Sequence, residues 1–383
     1  MDPTRVCLFG HGYFGKAHAR TLQGMGVPYM VVDTDPAKKE DVEKLGVQFV
    51  CANLTEALGC DTLDEQGNTA YFPTFYPNEE KIPADVLGCD AWDIVASPSS
   101  HARLALLGIL LGKRVFVEKP ATQTLEDLKV LVRHARGQIF EVDYIETVHP
   151  VVSAIRKRMQ EEHIPFTFAS HRRSKDVRKE TGRGLGEGRR PRIVQEDLVH
   201  DISEILSFLP EEVGQTVSVK SAVLKPWSSL GPEFEDNPPD IDVEAEIVLS
   251  WAGCELASLY GSFAAPEVRA FVVGNLDKEI GFYGNTLTRA HIKPAAALLR
   301  GKSALEEVAK AIVTGQILRQ EDQDRVLKDV GAESIQVGQE ESLAIMLSGF
   351  LNAKGPEDLH VGAELAFRVE SIANDIYEVA GFA

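Results

Sequence analysis

The sequence predicts an N-terminal α/β domain with a parallel sheet, followed by a C-terminal α+β domain with a large, mostly antiparallel sheet. The chain has 383 residues, which is too long for one ordinary hydrophobic core. In residues 1–148, short apolar runs alternate with helical patterns, as expected of parallel strands joined by helices. In residues 149–383, longer runs of alternating apolar and polar residues are separated by turns, as in antiparallel sheets. We therefore place the domain boundary after residue 148.

Composition and charge describe an ordinary globular protein and exclude several classes. Hydrophobic residues make up 44% of the chain, and no apolar run approaches the roughly 20 residues that a membrane span needs. The formal net charge of −18 argues against nucleic-acid binding, which requires a net basic surface. Five scattered cysteines without a C-x-x-C motif, and no expected signal peptide, predict a reduced, cytoplasmic protein without a metal site.

The strongest motif lies at the start of the chain. The apolar run RVCLF leads into a G-x-G-x-x-G pattern formed by Gly10, Gly12 and Gly15. A helical pattern follows, and the next apolar run, VPYMVVD, ends in Asp33. This order of strand, glycine turn, helix, strand and acid is the fingerprint of a Rossmann dinucleotide-binding unit.

The residues of this motif have distinct chemical roles. Gly10 permits the sharp turn, Gly12 lets the backbone approach the pyrophosphate, and Gly15 allows close packing of helix on strand. Asp33 is expected to accept hydrogen bonds from the hydroxyls of the adenosine ribose. Thr34 follows it, and no arginine is at hand to bind a 2′-phosphate. We therefore predict NAD, rather than NADP, as the cofactor.

Further apolar runs complete the predicted parallel sheet. They are residues 46–50, 91–97 and 114–120. Residues 101–113 form a helical pattern before the last of these strands. Residues 60–90 are too long for a simple connection, and they contain prolines and aromatic residues. We expect them to form an ordered surface excursion.

Three segments resemble a known family in sequence and in order. They are GHGYFGKAHA, VASPSSHARLALLGILLGKRVFVEKPAT and VDYIETVHP. Together they resemble the Gfo/Idh/MocA family, which includes glucose–fructose oxidoreductase, inositol dehydrogenase and rhizopine-catabolism proteins. The most specific element is Glu118-Lys119-Pro120, and ASPSSH upstream resembles the family's Ala-Thr-Pro-Asn-x-x-His.

The resemblance implies a catalytic lysine. In the family, the lysine of Glu-Lys-Pro lies beside the nicotinamide and the reacting carbon of the substrate, so Lys119 is the expected general acid and base. A lysine at the carboxyl end of a parallel strand also lies in the crevice where α/β sheets bind ligands. The expected cofactor-binding residues are Gly10, Gly12, Tyr13, Phe14, Gly15, Asp33, Thr34, Ser97, Pro98, His101, Glu118 and Lys119.

A second group of candidate residues lies on the amphipathic helical pattern of residues 192–209. The family has an Asp-x-x-x-His on this helix, and both side chains face the substrate. Here Glu196 and His200 occupy these positions, with Asp197 adjacent. The resemblance makes His200 the second catalytic residue and leaves open which acid contacts the substrate. A metal pair of His200 and Glu204 is not expected, because no third ligand has a suitable spacing.

Residues 171–192, just before this helix, are strongly basic, with nine Lys or Arg residues against three acids. One interpretation is a solvated, glycine-rich loop. The other is a lid whose arginines bind a carboxylate or phosphate, which would favour a sugar phosphate, a nucleotide sugar or a sugar acid. We include Arg172, Arg173 and Tyr144 with Glu196 and Asp197 among the expected substrate-binding residues.

The second domain is expected to combine hairpins with flanking helices. Strand-like runs cover residues 215–225, 241–251, 254–263, 268–275 and 278–285. Turns are expected at Trp251-Ala-Gly-Cys and Asn275-Leu-Asp. Helical patterns cover residues 151–162, 303–320 and 362–380. Because many relatives assemble through the exposed face of this sheet, the resemblance implies a homodimer or homotetramer.

We interpret the sequence as a NAD-dependent oxidoreductase that transfers a hydride between nicotinamide and a secondary alcohol or ketone of a sugar-like substrate. Two alternatives stay open. One is a non-catalytic NAD-binding sensor on the same fold. The other is an enzyme that recycles a tightly bound NAD within one active site. The presence of both Lys119 and His200 favours an enzyme, because a sensor needs no proton relay.

Overall fold

The computed structural model describes residues 4–63, 69–176, 192–231, 241–254, 256–287 and 292–382. The chain divides into two compact units. The first contains Met1–Tyr144 and Leu343–Phe367, and the second contains Ile145–Ser342 and Arg368–Ala383. The boundary therefore falls four residues before the predicted one, and a C-terminal segment assigned above to the second domain belongs to the first unit.

The first unit is built on a parallel sheet of short, buried strands. Its elements are β1 (Val6–Phe9), α1 (Tyr13–Gly24), β2 (Tyr29–Asp33), α2 (Lys39–Glu43), β3 (Gln48–Cys51), β4 (Leu58–Leu63), β5 (Thr69–Pro77), α3 (Ala84–Leu87), β6 (Ala91–Ile94), α4 (Pro98–Leu110), β7 (Arg114–Glu118), α5 (Leu125–His134) and β8 (Phe140–Asp143). The strand order is β3-β2-β1-β6-β7-β8, and all neighbours are parallel. The order reverses between β1 and β6, which is where such sheets bind ligands.

The excursion predicted over residues 60–90 contains the antiparallel hairpin of β4 and β5. Arg103 on α4 donates hydrogen bonds to the carbonyl oxygens of Thr55 and Leu58, both at 3.0 Å, and so holds the start of the hairpin against α4. Helix α4 begins three residues before the predicted start, because Pro98 suits the first position of a helix.

The second unit is built on a large sheet, which confirms the predicted α+β architecture. Its elements, with those that follow in the chain, are α6 (Pro150–Glu161), β9 (Phe168–Asp176), α7 (Val199–Phe208), α8 (Glu211–Gly214), β10 (Ser218–Pro226), β11 (Asp242–Ser250), β12 (Leu256–Ser262), β13 (Ala264–Asn275), β14 (Ile280–Asn285), β15 (Ala295–Arg300), α9 (Lys302–Val313), α10 (Gln320–Asp329), β16 (Glu333–Ile335), α11 (Ser342–Asn352) and α12 (Ala363–Ala380). The strand order is β10-β11-β12-β9-β13-β14-β15-β16. The β12–β9 pair is parallel and the other pairs are antiparallel. The hairpin turns expected at Trp251 and Asn275 join β11 to β12 and β13 to β14.

Helices cover the two faces of this sheet around β9. On one face, Phe168, Val272 and other apolar residues pack against Leu305 and Ile312 of α9. On the other face, a Cβ atom at Gly261 would lie 2.8 Å from side-chain atoms of Ile193 and Leu198. The glycine therefore lets the segment that leads into α7 lie close to the sheet.

Two parts of the C-terminal region differ from the prediction. The helix expected over residues 303–320 is interrupted after α9, where Gly315 has a φ of +69° and so ends the helix. The strands β15 and β16 and the helices α10 and α11 were not predicted. The run Ala295–Arg300 consists largely of Ala and Leu, which favour helices, yet it pairs with β14 as a strand.

The segment Leu343–Phe367 packs on β7 of the first unit. The Phe350 ring on α11 lies 5.4 Å from the Phe116 ring. Arg114 donates hydrogen bonds to the carbonyl oxygens of Phe350 and Ala353, the second at 3.1 Å. An apolar helix thus covers the sheet, although nearly 200 residues separate it from the first part of the unit.

Candidate functional site

The glycine turn after β1 leaves room for a ligand at one position and closes the others. A Cβ atom at Gly15 would lie 2.2 Å from the carbonyl oxygen of Gly10, and Gly10 itself has a φ of +93°. A Cβ atom at Gly12 would meet no atom of the described residues within 4 Å. Helix α1 starts here, and none of the described side chains caps it. Its first N–H groups and positive end therefore fit a pyrophosphate.

Asp33 ends β2 beside this turn. Its Oδ2 accepts a hydrogen bond from the backbone N–H of His11 at 2.7 Å, and its Oδ1 accepts one from the N–H of Asp35 at 2.9 Å. Each carboxylate oxygen keeps a second lone pair, so the carboxylate still fits the two hydroxyls of a ribose. Thr34, which follows, is exposed.

Tyr13 and Phe14 occupy the first turn of α1 and are unusually exposed for aromatic side chains, at 67% and 50%. Their rings contact each other edge to face, with centroids 5.2 Å apart. Their assignment as cofactor-binding residues stays a prediction.

The residues predicted after β6 and β7 lie at the same edge of the sheet. The hydroxyl of Ser97 lies 3.1 Å from those of Ser99 and Ser100 at the start of α4. His101 is buried; its Nδ1 lies 2.8 Å from the carbonyl oxygen of Pro120 and its Nε2 lies 2.9 Å from that of Ala96. His101 thus braces the ends of β6 and β7 against each other, inside the protein.

Lys119 follows the last residue of β7 and is half-buried. Its backbone N–H donates a hydrogen bond to Oε2 of Glu118 at 3.1 Å. The peptide bond between Lys119 and Pro120 is cis. Since β1, β6 and β7 are neighbouring parallel strands, the glycine turn and Lys119 lie at one edge of the sheet, on either side of the end of β6.

Below this edge lies a buried charged cluster that we did not predict. His18 on α1 has its Nδ1 3.0 Å from Asp93, and its Nε2 3.5 Å from Glu118 and 3.7 Å from Asp143. Burial opposes a charge on His18, yet the carboxylates, Asp93 first, raise its pKa well above the usual value. Burial raises the pKa of Asp143 well above its usual value, whereas His18 lowers that of Glu118 despite burial. The sequence signal was an aspartate inside the apolar run AWDIVAS.

In the second unit, the helical segment predicted over residues 192–209 starts with a π-helical turn, Val194–Leu198, and continues as α7. His200 is buried on α7, at 8% exposure. Asp197 pairs with Lys175 at 2.9 Å and is also buried, whereas Glu196 is half-buried. The wider π turn alters the α-helical spacing on which the pairing of Glu196 with His200 depended.

Arg173 is part of a buried ion network that the prediction did not include. Its Nε donates to Asp201 at 2.6 Å, and its Nη1 donates to Glu146 at 3.2 Å. Arg269 also donates to Glu146, at 3.2 Å. Burial opposes ionisation of Glu146, but the two arginines lower its pKa to about 2. Arg173 has 3% of its surface exposed, and its described contacts lie within this network.

Arg172 and Tyr144, two other residues expected to bind substrate, have the following surroundings. Arg172 is on the opposite face of β9 from Arg173: it donates a hydrogen bond to the carbonyl oxygen of Val313 on α9 and lies 4.4 Å from the Tyr260 ring. Tyr144 is fully buried. Residues 177–191, which make up most of the basic stretch, lie outside the described residues.

Two groups of three potential metal ligands occur among the described residues. One is His18, Glu118 and Asp143. The other is His171, Asp201 and Glu204, which are all buried. Glu204 therefore lies with His171, whereas we considered it above together with His200. Burial raises the pKa of Glu204 well above its usual value.

The parallel sheet, the glycine turn, the acid after β2 and the lysine after β7 define a dinucleotide-binding oxidoreductase. Residues 4–142 match the sequence model of the GFO_IDH_MocA family, described as "Oxidoreductase family, NAD-binding Rossmann fold". Over this region, about a third of the chain, the protein is similar to the Gfo/Idh/MocA oxidoreductases, and the model describes an NAD-binding fold. None of the curated proteins matches the chain significantly.

Solved structures with the same fold include three of distant sequence. UDP-N-acetylglucosamine 3-dehydrogenase GnnA from Acidithiobacillus ferrooxidans has 15% identity and a TM-score of 0.67, with 100% of this chain and 99% of that chain covered. KijD10, a 3-ketoreductase from Actinomadura kijaniata in complex with NADP and TDP-benzene, has 15% identity and a TM-score of 0.68, with 98% of each chain covered. A putative myo-inositol dehydrogenase from Sinorhizobium meliloti 1021 has 16% identity and a TM-score of 0.64, with 99% of this chain and 97% of that chain covered. None of the helices that the structure describes combines the length and hydrophobicity of a transmembrane segment.

Proposed function

We propose that this oxidoreductase transfers a hydride between NAD and a secondary alcohol or ketone of a sugar-like substrate. One observation carries the proposal: the carboxyl edge of the parallel sheet bears an open glycine turn after β1 and Lys119 after β7, with only β6 between them. This edge is the crevice in which open α/β sheets bind ligands. Bound there, NAD would supply the hydride acceptor, C4 of its nicotinamide ring.

The chain's own residues would handle the proton. When an alcohol is oxidised, its hydroxyl proton must leave as the hydride departs, and Lys119 as the free amine would accept it. In the reverse direction the Lys119 ammonium would return the proton to the forming alcohol. The role of His200 on α7 as the second catalytic residue, which the family resemblance implies, stays a prediction. Acid–base assistance of this kind is worth about 10²–10⁴-fold in rate.

The preference for NAD over NADP rests on Asp33. Its carboxylate would accept the ribose hydroxyls of NAD and repel the 2′-phosphate of NADP. The KijD10 structure contains NADP, so the fold itself is compatible with either cofactor. The preference of this protein is therefore assigned to the residue at the end of β2.

Nucleotide sugars come first among the candidate substrates. The name of one structural neighbour specifies a UDP-linked sugar, and another neighbour is in complex with a TDP derivative. The basic stretch has three described arginines, and each contacts other groups of the protein: Arg172 and Arg173 donate hydrogen bonds, and Arg192 lies over the Tyr377 ring. An anionic substrate would therefore depend on residues 177–191. A homodimer or homotetramer stays a prediction, which light scattering would check.

The test measures the reduction of NAD or NADP by the absorbance of the reduced nicotinamide. The substrates offered are nucleotide sugars, sugar phosphates, sugar acids, free sugars and polyols. Lys119→Ala should lower turnover by about 10²–10⁴-fold and leave the Kd for NAD within a few fold. The control is Lys129→Ala, an exposed lysine on α5 paired with Glu126. Full turnover, or loss of NAD binding, in the Lys119 variant would contradict the role given to this residue. If the purified protein releases NAD only when it is denatured, the alternative of an enzyme that recycles a tightly bound NAD is favoured.

A further inference from the structure

A chain of contacts leads from the phosphate-binding helix to the backbone of the proposed catalytic lysine. His18 lies one turn beyond the glycine motif on α1 and is held on its Nδ1 side by Asp93. Its Nε2 side faces Oε1 of Glu118 at 3.5 Å. The other oxygen of Glu118 accepts the backbone N–H of Lys119. Glu118 therefore connects the imidazole of His18 directly to the first residue after β7.

Carboxyl groups lie on both sides of the His18 ring. Its Nδ1 faces Asp93 and its Nε2 faces Glu118 and Asp143, so both nitrogens donate when the ring is an imidazolium. His18, Asp93 and Asp143 have at most 3% of their side-chain surface exposed, so water cannot replace a lost partner. Lys119 and His101 are the other groups whose electrostatic effect lowers the pKa of Glu118. Asp143, whose pKa burial raises well above its usual value, completes the set of groups around His18.

We propose that His18 is a positioning residue for the reaction: it fixes the carboxylate of Glu118, which in turn fixes the backbone of Lys119 at the end of β7. The inference rests on the proposed function of Lys119. Without the imidazolium, the carboxylates of Asp93 and Glu118 would share a buried site with no cation between them. Glu118 would then take up a proton or leave its position, and the N–H of Lys119 would lose a charged acceptor.

Two substitutions separate the contacts of His18. In His18→Asn the amide nitrogen replaces Nδ1, so the contact with Asp93 is kept and the contact with Glu118 is lost. In His18→Gln the amide reaches the position of Nε2, so the contact with Glu118 is kept without the charge. We expect H18N to lower kcat by up to about 10²-fold, the effect of a misplacement of about 1 Å, with a Kd for NAD within threefold of wild type. H18Q, which keeps the contact with Glu118, should lower kcat by less than H18N does.

A double-mutant cycle tests whether His18 acts through Glu118. If it does, H18N combined with E118Q lowers kcat no further than E118Q alone. Additive losses would overturn the proposal, because a merely structural histidine would act independently. H134N is the matched control: the imidazole of this histidine on α5 lies 2.8 Å from the carbonyl oxygen of Val130 in the same helix and contacts the ring of Phe75. If H18N fails to fold, the cycle of H18Q with E118Q measures the part of the coupling that depends on the charge of the imidazole, because H18Q keeps the contact with Glu118.

The charge of His18 can be observed without any substrate. In ¹⁵N-histidine-labelled protein at pH 8, the signal that H18N removes should show protons on both nitrogens. A neutral His18, or one equivalent of bound divalent metal that H18N releases, would overturn the proposal. If H18N has the kcat of wild type and K119A is inactive, the role proposed for His18 is wrong and the proposed function stands. Full turnover in K119A would refute the proposed function instead.

Discussion

Replacing Glu141 with glutamine should stabilise the protein above neutral pH and change little in mild acid. Glu141 lies on β8 and is fully buried. Its Oε1 accepts hydrogen bonds from the backbone N–H groups of His360 at 2.9 Å and Val361 at 3.1 Å. In the part of the chain that the structure describes, Oε2 has no hydrogen-bond partner. Burial raises the pKa of Glu141 from 4.5 to about 7, although the two N–H groups act against the rise.

The sign and size of the effect follow from proton binding. Between pH 4.5 and about 7, the folded protein keeps a proton that the unfolded chain releases, so stability falls as the pH rises through this window. Each unit of pKa difference is worth about 1.4 kcal/mol, so a rise of roughly 2.5 units costs about 3 kcal/mol by pH 8. Glutamine carries no charge and keeps an oxygen for the two N–H groups. E141Q should therefore lose this pH-dependent cost.

The assay is urea unfolding of wild type and E141Q at pH 5 and pH 8. The difference in unfolding free energy should be below about 1 kcal/mol at pH 5 and approach about 3 kcal/mol in favour of E141Q at pH 8. Glu126→Gln, an exposed glutamate on α5, should change stability by less than about 0.5 kcal/mol at both values. Equal stability of wild type and E141Q at pH 8 would refute the reasoning, and so would a gain of the same size at both pH values.

Two further predictions concern the glycine turn and the buried ion network. Gly12→Ala should have the melting temperature of wild type but bind NAD at least about 10-fold more weakly, because the added Cβ occupies the ligand's space. Gly15→Ala should lower the melting temperature, because its Cβ would clash with the carbonyl oxygen of Gly10. Calorimetry of unfolding and of NAD binding distinguishes the two, and unchanged NAD affinity in G12A would contradict the assignment of the turn. Arg173→Met leaves Glu146 and Asp201 with one cation fewer and should cost about 3–5 kcal/mol in urea unfolding. Wild-type stability of R173M would show that the network is dispensable.

The nucleotide turn was predictable because its signal is local. A strand, three glycines, a helix and an acid follow one another within 33 residues, and each imposes its own backbone requirement. The cluster around His18 was not predictable in this way. Its members come from one helix and the ends of three strands. No single segment of the sequence indicates the strand order that brings them together. The only local sign is a carboxylate within an apolar strand, such as Asp93 or Asp143.

The second unit shows what charge alone cannot tell. Arg172 and Arg173 were grouped because both are basic, yet successive residues of a strand point to opposite faces of the sheet. One packs on α9 and the other on α7, so a single ligand could not use both. The π turn before His200 is a second case, since a difference of one residue in helical winding leaves little trace in the apolar periodicity.

The first unit is made of two stretches of chain separated by residues 145–342. This has a consequence for how the protein is made. When a ribosome has released β7 and β8, the helix that carries Phe350 and the segment that binds Glu141 have not yet been synthesised. The nucleotide-binding sheet must therefore wait, with the ring of Phe116 and the buried carboxyl group uncovered, until most of the protein has been translated. The usual order, in which the N-terminal domain finishes first, does not apply here.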